Sequence, residues 1–397
     1  MNKLSYLEKL LDGVEVEWKT LEKVLKRTKG TKITAGQMKA LHKDNAPLKI
    51  FAGGKTVAFV DFKDIPEKDI NREPSIIVKS RGIIEFEYYD KPFSHKNEMW
   101  SYHSNNDAIS IKYIYYFLKI NEGYFQKIGG KMQMPQIATP DTDKFEVPIP
   151  CPDNPEKSLA IQSEIVRILD KFTALTAELT AELTMRKKQY NYYRDKLLSF
   201  DEAEVEWKTL ADVAILRRGR VMSKGYLEQN AGDYPVYSSQ TARNGMIGSI
   251  DTYDFDGEFI SWTTDGANAG TVFYRTGKFS ITNVCGLIKI HENYPISYKY
   301  LYYWLSIEAQ KHVYSGMGNP KLMSHQVEKI TVPIPFPASP EKSMLEQQRI
   351  VGILDKLEAI TFSLTEGLPR EIELRQKQYE YYRDLLFSFP RPETASN

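Results

Sequence analysis

Basic side chains are grouped at two places in the sequence, each a few residues after a copy of the segment EVEWKTL. The groups are Lys26, Arg27, Lys29 and Lys32 in the first half, and Arg217, Arg218, Arg220 and Lys224 in the second. Lysine and arginine at such places neutralise nucleic-acid phosphates or donate hydrogen bonds to guanine O6 and N7. A solvated charged surface explains either group alone, but the recurrence after the same segment favours nucleic-acid binding.

Polar loops supply further candidates, because amide, hydroxyl and guanidinium groups can hydrogen-bond to base edges. In the second half the candidates are Ser239, Gln240, Arg243 and Asn244 in one loop, and Asn319 and Lys321 in another. In the first half we take residues 94–97 and 129–133 as the comparable loops, with candidates His95, Lys96, Lys131 and Gln133. A turn-forming or structural role explains each single residue equally well.

A search for catalytic motifs points away from an enzyme. The segment Gly53-Gly54-Lys55-Thr56 resembles the end of a phosphate-binding P-loop, but Lys49 stands where that motif needs a glycine. A strand-edge turn is therefore the better interpretation. The six histidines form no metal-ligand pattern, and no G-x-S-x-G elbow or Asn/Asp-Pro-Pro-aromatic methyltransferase motif occurs. We expect this chain to carry no catalytic residue, no metal and no bound cofactor.

Composition limits the class of protein. The 397 residues include 53 Lys+Arg and 52 Asp+Glu, so any nucleic-acid surface must be local. Two cysteines exclude a disulfide framework or a Cys-rich zinc module. No apolar run approaches ~18 residues, and the first residues lack a signal-peptide pattern. We expect a soluble cytoplasmic protein that does not associate with membranes.

Internal repeats organise the chain and position the basic groups. EVEWKTL occupies residues 15–21 and 204–210. Residues 147–171 return as 332–356 with 16 of 25 positions identical, and 188–200 return as 377–389 with 10 of 13. Between these anchors the halves hardly match. These matches indicate that one half was duplicated. The matching segments, which we call the frame, were kept, and the residues between them diverged.

The frame is predicted to be helical. After the proline-rich segments VPIPCP and VPIPFP, apolar residues recur every three to four positions, as in a coiled-coil seam. Each copy predicts a helix of about 40 residues, or roughly 60 Å. A lone helix of that length would expose its apolar stripe, so we expect the two copies to pack antiparallel.

The divergent segments between the repeats, residues 21–145 and 210–330, each have the size of a domain. We call them the first and second heads. Each alternates strand-like runs with turns and ends in an aromatic helix, IKYIYYFL or YKYLYYWL, which we expect to face a core rather than stack on bases. The chain start resembles the end of a frame helix, so the two termini should lie close together.

The predicted fold class is therefore α+β. Two mixed α/β domains are separated by a pair of long antiparallel coiled-coil helices, with circular pseudo-twofold symmetry. The expected boundaries are residues 1–150 for the first recognition domain, 151–200 for the first spacer helix, 201–337 for the second recognition domain, 338–390 for the second spacer helix and 391–397 for a disordered tail.

Two different heads at a fixed spacing suit an asymmetric, interrupted DNA sequence, since dimeric readers place their heads about one helical turn apart. The frame motif PEKSxxxQxxIVxILDK, followed by KQYxYYRDxLxSF in both halves, resembles the specificity subunit of type I restriction–modification systems. The run ALTAELTAEL at 174–183 resembles the type IC subfamily, whose spacer carries a variable number of TAEL units.

The resemblance implies a non-catalytic subunit whose heads each read half of a bipartite, gapped site in double-stranded DNA. Its implied partners are two modification subunits, which methylate adenine N6 from S-adenosylmethionine, and two restriction subunits, which use ATP and Mg²⁺. Residues that could dock the modification subunits are Tyr190, Tyr193, Arg194, Tyr379, Tyr382 and Arg383. Packing between the two helices is the alternative role for these six residues.

Two other functions compete with DNA recognition by this sequence. A stand-alone modification enzyme would need the cofactor and catalytic motifs that the sequence lacks. A coiled-coil scaffold that binds only proteins would explain the helices but not two divergent heads with basic groups. Salt-dependent binding to duplex DNA separates a DNA reader from a scaffold, because phosphate contacts make the affinity fall with salt.

Overall fold

A computed structural model describes residues 6–11, 13–131, 133–201, 205–292, 294–316, 318–363 and 365–391. The chain divides into two compact units, residues 1–179 with 372–397, and residues 180–371. Each unit joins one head to parts of both helical segments. The predicted tail at 391–397 lies outside the described residues except for Arg391.

The elements of the first half follow the chain order of the repeat. They are α1 (Tyr6–Leu11), β1 (Val16–Thr20), α2 (Leu21–Val24), β2 (Lys26–Lys29), α3 (Ala35–Leu41), β3 (Leu48–Phe51), β4 (Val57–Val60), β5 (Ser75–Lys79), β6 (Glu85–Tyr89), β7 (Phe93–His95), β8 (Trp100–His103), α4 (Ile111–Ile120), α5 (Glu122–Gly129), α6 (Thr139–Asp143), β9 (Glu146–Pro150) and α7 (Pro155–Leu197). The first head holds a four-stranded sheet, β2-β8-β5-β6, and a three-stranded sheet, β4-β3-β7.

The second half repeats this plan with longer strands. Its elements are β10 (Val205–Thr209), α8 (Leu210–Val213), β11 (Ala214–Arg218), α9 (Lys224–Gln229), β12 (Ala231–Tyr237), β13 (Met246–Ile250), β14 (Phe255–Thr263), β15 (Val272–Ile281), β16 (Cys285–Ile290), α10 (Tyr298–Glu308), α11 (Ser324–Val327), β17 (Thr331–Pro335), α12 (Pro340–Phe362) and α13 (Gly367–Leu386). The second head holds one six-stranded sheet in the order β11-β16-β14-β15-β12-β13.

The EVEWKTL and VPIP segments form a small sheet in each unit. β1 pairs antiparallel with β9, and β10 pairs antiparallel with β17. Each sheet has only two strands, so every strand is an edge strand, where a proline without an N–H is tolerated. The sequence analysis did not predict these edge strands.

The aromatic helices α4 and α10 face the cores of their heads. The buried residues of α4 are Tyr113, Ile114, Tyr116, Phe117 and Leu118. Those of α10 are Tyr300, Leu301, Tyr303, Trp304 and Leu305. The predicted core-facing role of both helices is confirmed.

The long helix pair is confirmed, with one difference. Whereas α7 runs unbroken for 43 residues, the second segment is divided into α12 and α13 by residues 363–366, of which Leu364 lies outside the described residues. Gly367 at the start of α13 has φ 77°, and Pro369 lacks the N–H that a continuous helix would need. These two residues explain why this copy is not a single helix of about 40 residues.

Each unit contains an aromatic ring contact between the two helical segments. Phe172 of α7 stacks on Tyr382 of α13 with ring centroids 5.4 Å apart, and Tyr190 of α7 meets Phe362 of α12 at 5.1 Å. Numbering rises along α7 between these contacts and falls along its partners, as in an antiparallel pair. The predicted direction of the helices is confirmed.

The two ends of the described chain meet in the first unit. The Trp18 Nε1 donates a hydrogen bond to the carbonyl of Pro390 at 3.0 Å. Leu10 and Leu11 pack against the same core as Leu386 and Phe387. The predicted closeness of the termini is confirmed. Within the described ranges, no helix is long and apolar enough to cross a membrane.

In each unit, one buried glutamine of the frame helix forms hydrogen bonds with the backbone of the head. Gln162 accepts a hydrogen bond from Ser110 N (2.9 Å) and donates one to Ala108 O (3.0 Å). Its counterpart Gln347 accepts from Ser297 N (2.8 Å) and donates to Pro295 O (2.9 Å). Both glutamines are 0% exposed. The repeated motif PEKSxxxQ therefore fixes the start of the aromatic helix in both units.

We expect Gln347→Ala to lower the free energy of unfolding of the second unit by about 2–4 kcal/mol, because the partly buried Ser297 N–H and Pro295 carbonyl lose their buried partner. Chemical denaturation measures the change. Gln348→Ala is the matched control, since Gln348 is the exposed neighbour on the same helix, and it should cost less than about 0.5 kcal/mol. Equal costs for the two variants would contradict the role of Gln347.

Candidate nucleic-acid interface

Each basic group begins on an edge strand, and the two strands, β2 and β11, are equivalent. The remaining residues of the groups, Lys32, Arg220 and Lys224, follow these strands. Each strand is followed by a glycine that passes close to neighbouring backbone. A Cβ on Gly30 would lie 2.3 Å from His95 O, and one on Gly219 would lie 2.2 Å from Ile281 O. Only glycine allows this close approach of two backbone segments, which we call the glycine crossing. The chain therefore leaves each basic strand along the same path in both heads.

All eight basic side chains are exposed, but they differ in their partners. Arg27 lies 3.5 Å from Asp143, and Arg220 pairs with Asp254 at 3.0 Å. Arg218 donates to the carbonyl of Asn283 at 2.7 Å. The cations with neither a carboxylate within 4.0 Å nor a side-chain hydrogen bond among the described residues are Lys26, Lys29, Lys32, Arg217 and Lys224. These five are the most available for phosphates.

In the first head, strand register places several candidates at one edge of the sheet. Lys29 pairs with Trp100, which also pairs with Val78 near the end of β5. The turn after β5, residues 80–84, therefore lies at the edge where β2 ends. Lys96 lies nearby because Ser80 Oγ donates to the carbonyl of Glu98, although Lys96 also pairs with the Glu98 carboxylate at 2.6 Å.

The loop at 129–136 joins the same edge. The Gly82 N–H donates to the carbonyl of Pro135 at 2.9 Å, and Arg81 Nε donates to Gln136 Oε1 at 3.0 Å. Lys131 and Gln133 on this loop are exposed. The structure thus brings the candidate loop 129–133 next to the end of the basic strand.

In the second head, the turn after β14 connects the two candidate loops. Asn268 Nδ2 donates to the carbonyl of Ser239 at 3.3 Å, and the Gly266 N–H donates to the carbonyl of Pro320 at 3.0 Å. Lys321 lies 3.8 Å from Asp265. The loop with Ser239 and the loop with exposed Asn319 therefore form one surface, joined by residues 264–271, which sequence reasoning did not select.

The loop 238–245 has an unusual backbone at its tip. Arg243 and Asn244 both lie in the left-handed region, at φ 48° and 53°, and both side chains are exposed. Non-glycine residues seldom adopt this conformation, which concentrates at functional sites. Gln240 instead uses its amide to hold the loop, donating to the carbonyl of Met246 at 2.5 Å.

The structure corrects the matching of one loop pair. The Lys96 N–H donates to the carbonyl of Phe51, and the Thr282 N–H donates to the carbonyl of Tyr237 in the same way, both at 2.9 Å. Residues 94–97 thus correspond to the segment around Thr282, not to 238–245. The equivalent of 238–245 is the β3–β4 turn, residues 52–56. Its exposed Lys55 belongs to the segment that the sequence analysis interpreted as a strand-edge turn and did not select as a DNA contact.

A base contact by His95 is contradicted by its burial. The ring is 0% exposed. Its Nδ1 lies 3.0 Å from the carbonyl of Lys96, so Nδ1 must carry the donated hydrogen, and Nε2 lies 3.1 Å from Ser101 Oγ. Burial lowers the pKa of His95 below its ordinary value. His95 is a neutral core residue that supports the glycine crossing at Gly30.

We expect the first unit to lose stability as the pH falls below about 6.5, because the unfolded state then binds a proton that buried His95 resists. The limiting slope for one proton is about 1.4 kcal/mol per pH unit. His103, whose pKa is also lowered by burial, adds to the same trend. Denaturation at pH 7.5 and 5.5 should show a smaller difference for His95→Gln than for the parent chain. An unchanged pH difference would contradict this interpretation.

The six proposed docking residues divide into packed and exposed groups. Tyr190 is 6% exposed against Phe362, burial raises its pKa to about 12, and Tyr382 stacks on Phe172. Half-buried Tyr379 packs against the first-unit core. These three therefore take part in helix packing. Exposed Tyr193 stays available, whereas Arg194 and Arg383 bond to the aspartates that follow them.

Two exposed tyrosines near these residues were missed. Tyr192 and Tyr381 occupy equivalent repeat positions and are 60% and 65% exposed. Exposed aromatic side chains are enriched at protein interfaces. The repeated sequence YY of the frame helices marks these positions, but the sequence does not show which tyrosine of each pair faces outward. No cluster of three potential metal-binding side chains occurs in the part of the chain that the structure describes.

Comparisons with known proteins agree with this geometry. A family model described as "Type I restriction modification DNA specificity domain" matches residues 15–185 and 202–374. The chain is 41% identical to the EcoR124I/EcoR124II specificity subunit of Escherichia coli, with 100% of both chains covered. It is 35% identical to the EcoprrI specificity subunit of Escherichia coli, covering 92% of this chain and 93% of that protein.

A solved structure shares the fold. The S subunit of a type I restriction–modification system from M. genitalium aligns with a TM-score of 0.64 at 18% identity, over 96% of this chain and 98% of the other. At that identity the likeness concerns the fold alone. The predicted arrangement of two mixed domains and a helix pair is confirmed.

Proposed function

The chain belongs to the family of type I restriction–modification specificity subunits, and from that membership we propose that each of its heads reads one half of a bipartite, gapped site in duplex DNA. The observation that carries the proposal is the repetition of one surface in both units. In each, an exposed basic strand end leads past a glycine crossing to loops of different sequence. A common frame with divergent loops suits two unlike half-sites.

The division of labour follows from the chemistry of the groups. Lysines and arginines that have no carboxylate partner in the described part of the chain, such as Lys29, Lys32 and Arg217, neutralise phosphates. Phosphate contacts position a protein on DNA without reading its sequence. The loops beside them carry the donors and acceptors that distinguish base pairs in the major groove. Arg243 and Asn244 at a strained loop tip are the strongest such groups in the second head.

Catalysis is assigned to partner subunits. Two modification subunits supply adenine-N6 methylation from S-adenosylmethionine, and two restriction subunits supply ATP- and Mg²⁺-dependent cleavage, in the cytoplasm. The frame helices, with exposed Tyr192, Tyr193 and Tyr381, offer the modification subunits a docking surface. This chain contributes the choice of DNA sequence and the spacing between half-sites.

A genome-wide map of N6-methyladenine tests the proposal in cells that express this chain together with its modification subunit. A methylated two-part motif with a gap of about six to eight unread base pairs, matching heads roughly one turn apart, supports it. A continuous motif contradicts the two-headed reading. A stable complex that neither methylates nor binds duplex DNA in a salt-dependent manner favours the protein-only scaffold instead.

A further inference from the structure

In each head, a turn that follows a strand is hydrogen-bonded through its backbone to a second loop, and the bonding pattern is the same in both heads. The turns are residues 80–84 after β5 and 264–271 after β14. The Gly82 N–H donates to Pro135 O and the Gly266 N–H to Pro320 O, at 2.9 and 3.0 Å. Both glycines have positive φ, 75° and 89°. The hydrogen-bonded turn and its partner loop, which we call the platform, therefore have the same backbone arrangement in both heads.

A second pair of hydrogen bonds fixes the register of this platform. The Ile137 N–H donates to Ser80 O at 3.0 Å, and the Leu322 N–H donates to Thr264 O at 2.9 Å. Between these bonds, Arg81 forms an antiparallel bridge with Gln136, and Asp265 forms one with Lys321. Residues 81 and 136 in the first head thus correspond to residues 265 and 321 in the second.

The side chains at these equivalent positions have different hydrogen-bonding character. The first head has Arg81 with Gln136, joined by the Nε–Oε1 hydrogen bond of 3.0 Å. The second head has Asp265 with Lys321, 3.8 Å apart. One turn therefore presents a donor where the other presents an acceptor. Different chemistry on one fixed backbone is what reading two different half-sites requires.

The guanidinium of Arg81 is free to bind a ligand. Arg81 is exposed, and among the described residues only Gln136 bonds to it, through Nε. Its two terminal nitrogens have no acceptor in that part of the chain. Gln136 thus restricts the orientation of the side chain and leaves its two terminal nitrogens available as donors.

The turn also lies where DNA is expected. It occupies the sheet edge at which Lys29 ends β2, and exposed Lys32 follows the glycine crossing there. Lys29 and Lys32 have no carboxylate partner among the described residues. Phosphate contacts from these lysines would hold the duplex against the edge that carries Arg81.

We propose that Arg81, oriented by Gln136, reads a guanine in the half-site of the first head, and that Asp265 with Lys321 is the equivalent base-reading pair of the second. The inference rests on the proposed function, because it assigns residues to DNA reading by the heads. Arginine donates to guanine O6 and N7 together, which no other base offers in the major groove. Asp265 accepts instead, so the second head selects a base with an amino group.

The methylation map provides the test, with Arg81→Ala in the complex of this chain and its modification subunit. We expect one guanine of one half-site to become degenerate, with roughly 10- to 100-fold less discrimination at that position. The gap and the other half-site should not change. Arg72→Ala is the matched control, since Arg72 is an exposed arginine of the same head that is already paired with Glu67 at 2.7 Å.

Two further variants separate base reading from support of the fold. Gln136→Ala should relax the same base position to a smaller extent, because it loosens the orientation of Arg81 without removing its donors. Asp265→Asn should change one position in the other half-site only. A relaxed position in the expected half-site for each variant supports the assignment.

Three results would overturn the inference. The first is an unchanged motif for Arg81→Ala in a complex whose parent methylates a two-part site. The second is weaker methylation at all sites with no base relaxed, which would make Arg81 a phosphate contact. The third, a parent complex with no two-part motif, would overturn the proposed function together with the inference.

Discussion

Replacing both Lys29 and Lys32 with alanine should weaken binding of duplex DNA by about 10- to 100-fold near 0.1 M salt, for cognate and unrelated sequences alike. Both side chains are exposed and have no carboxylate partner among the described residues. Each phosphate contact releases a counterion, so losing two contacts should reduce the slope of log affinity against log salt by about two. Fluorescence anisotropy over a salt series measures both quantities.

The control for this variant removes one charge from the far strand of the same sheet. Lys91 follows β6, whose last residue, Tyr89, pairs with Ser75 at the start of β5, whereas Lys29 lies level with Val78 near the end of β5. Lys91→Ala should leave the salt slope unchanged, whereas Lys29→Ala alone should reduce it by about one. Equal losses from these two single variants would mean that net charge, not this edge, governs binding.

The frame could be predicted from the sequence because the residues that define it occur in both halves. Gln162 and Gln347 recur in the motif PEKSxxxQ, and each closes the same pair of backbone hydrogen bonds. Repetition identifies such residues as important even when their partners are unknown. It also located the two basic strands, since each follows EVEWKTL at nearly the same distance.

The heads could not be read in the same detail, because their contacts join distant segments. His95 is polar by type, yet parallel pairing of β7 with β3 places it in the core, beside Phe51. The same pairing makes residues 52–56, not 94–97, the counterpart of 238–245. Arg81 and Asp265 share no sequence similarity, and only their bridges to Gln136 and Lys321 reveal the equivalence.

We expect the length of the frame helices to set the spacing between the two half-sites. Between Asp170 and Gln189 the first segment spans 19 residues, while the second spans 23 between Asp355 and Gln378. The structure shows that α7 is continuous through its TAEL units, whereas the second segment is interrupted at residues 363–366. The four additional residues of the second copy are thus matched by a break of four residues and need not lengthen the helix pair.

Inserting a third Thr-Ala-Glu-Leu unit after Leu183 should lengthen the unread gap of the DNA site by one or two base pairs, with both half-sites unchanged. Four residues inside a continuous helix add about 6 Å and a net turn of ~40°, against roughly 3.4 Å for each added base pair. The methylation map of the variant complex should therefore show the parent half-sites at a wider spacing, with the parent spacing lost.

A matched insertion shows whether helix length itself sets the gap. Four alanines placed between Thr365 and Glu366 enter the break between α12 and α13, where they add chain without extending a continuous helix. This variant should keep the parent gap, since α7 alone runs unbroken between the two heads. If the gap widens equally for both insertions, the added chain matters and not the rigid helix. If the α7 insertion leaves the gap unchanged or alters a half-site, the helix does not act as the spacer.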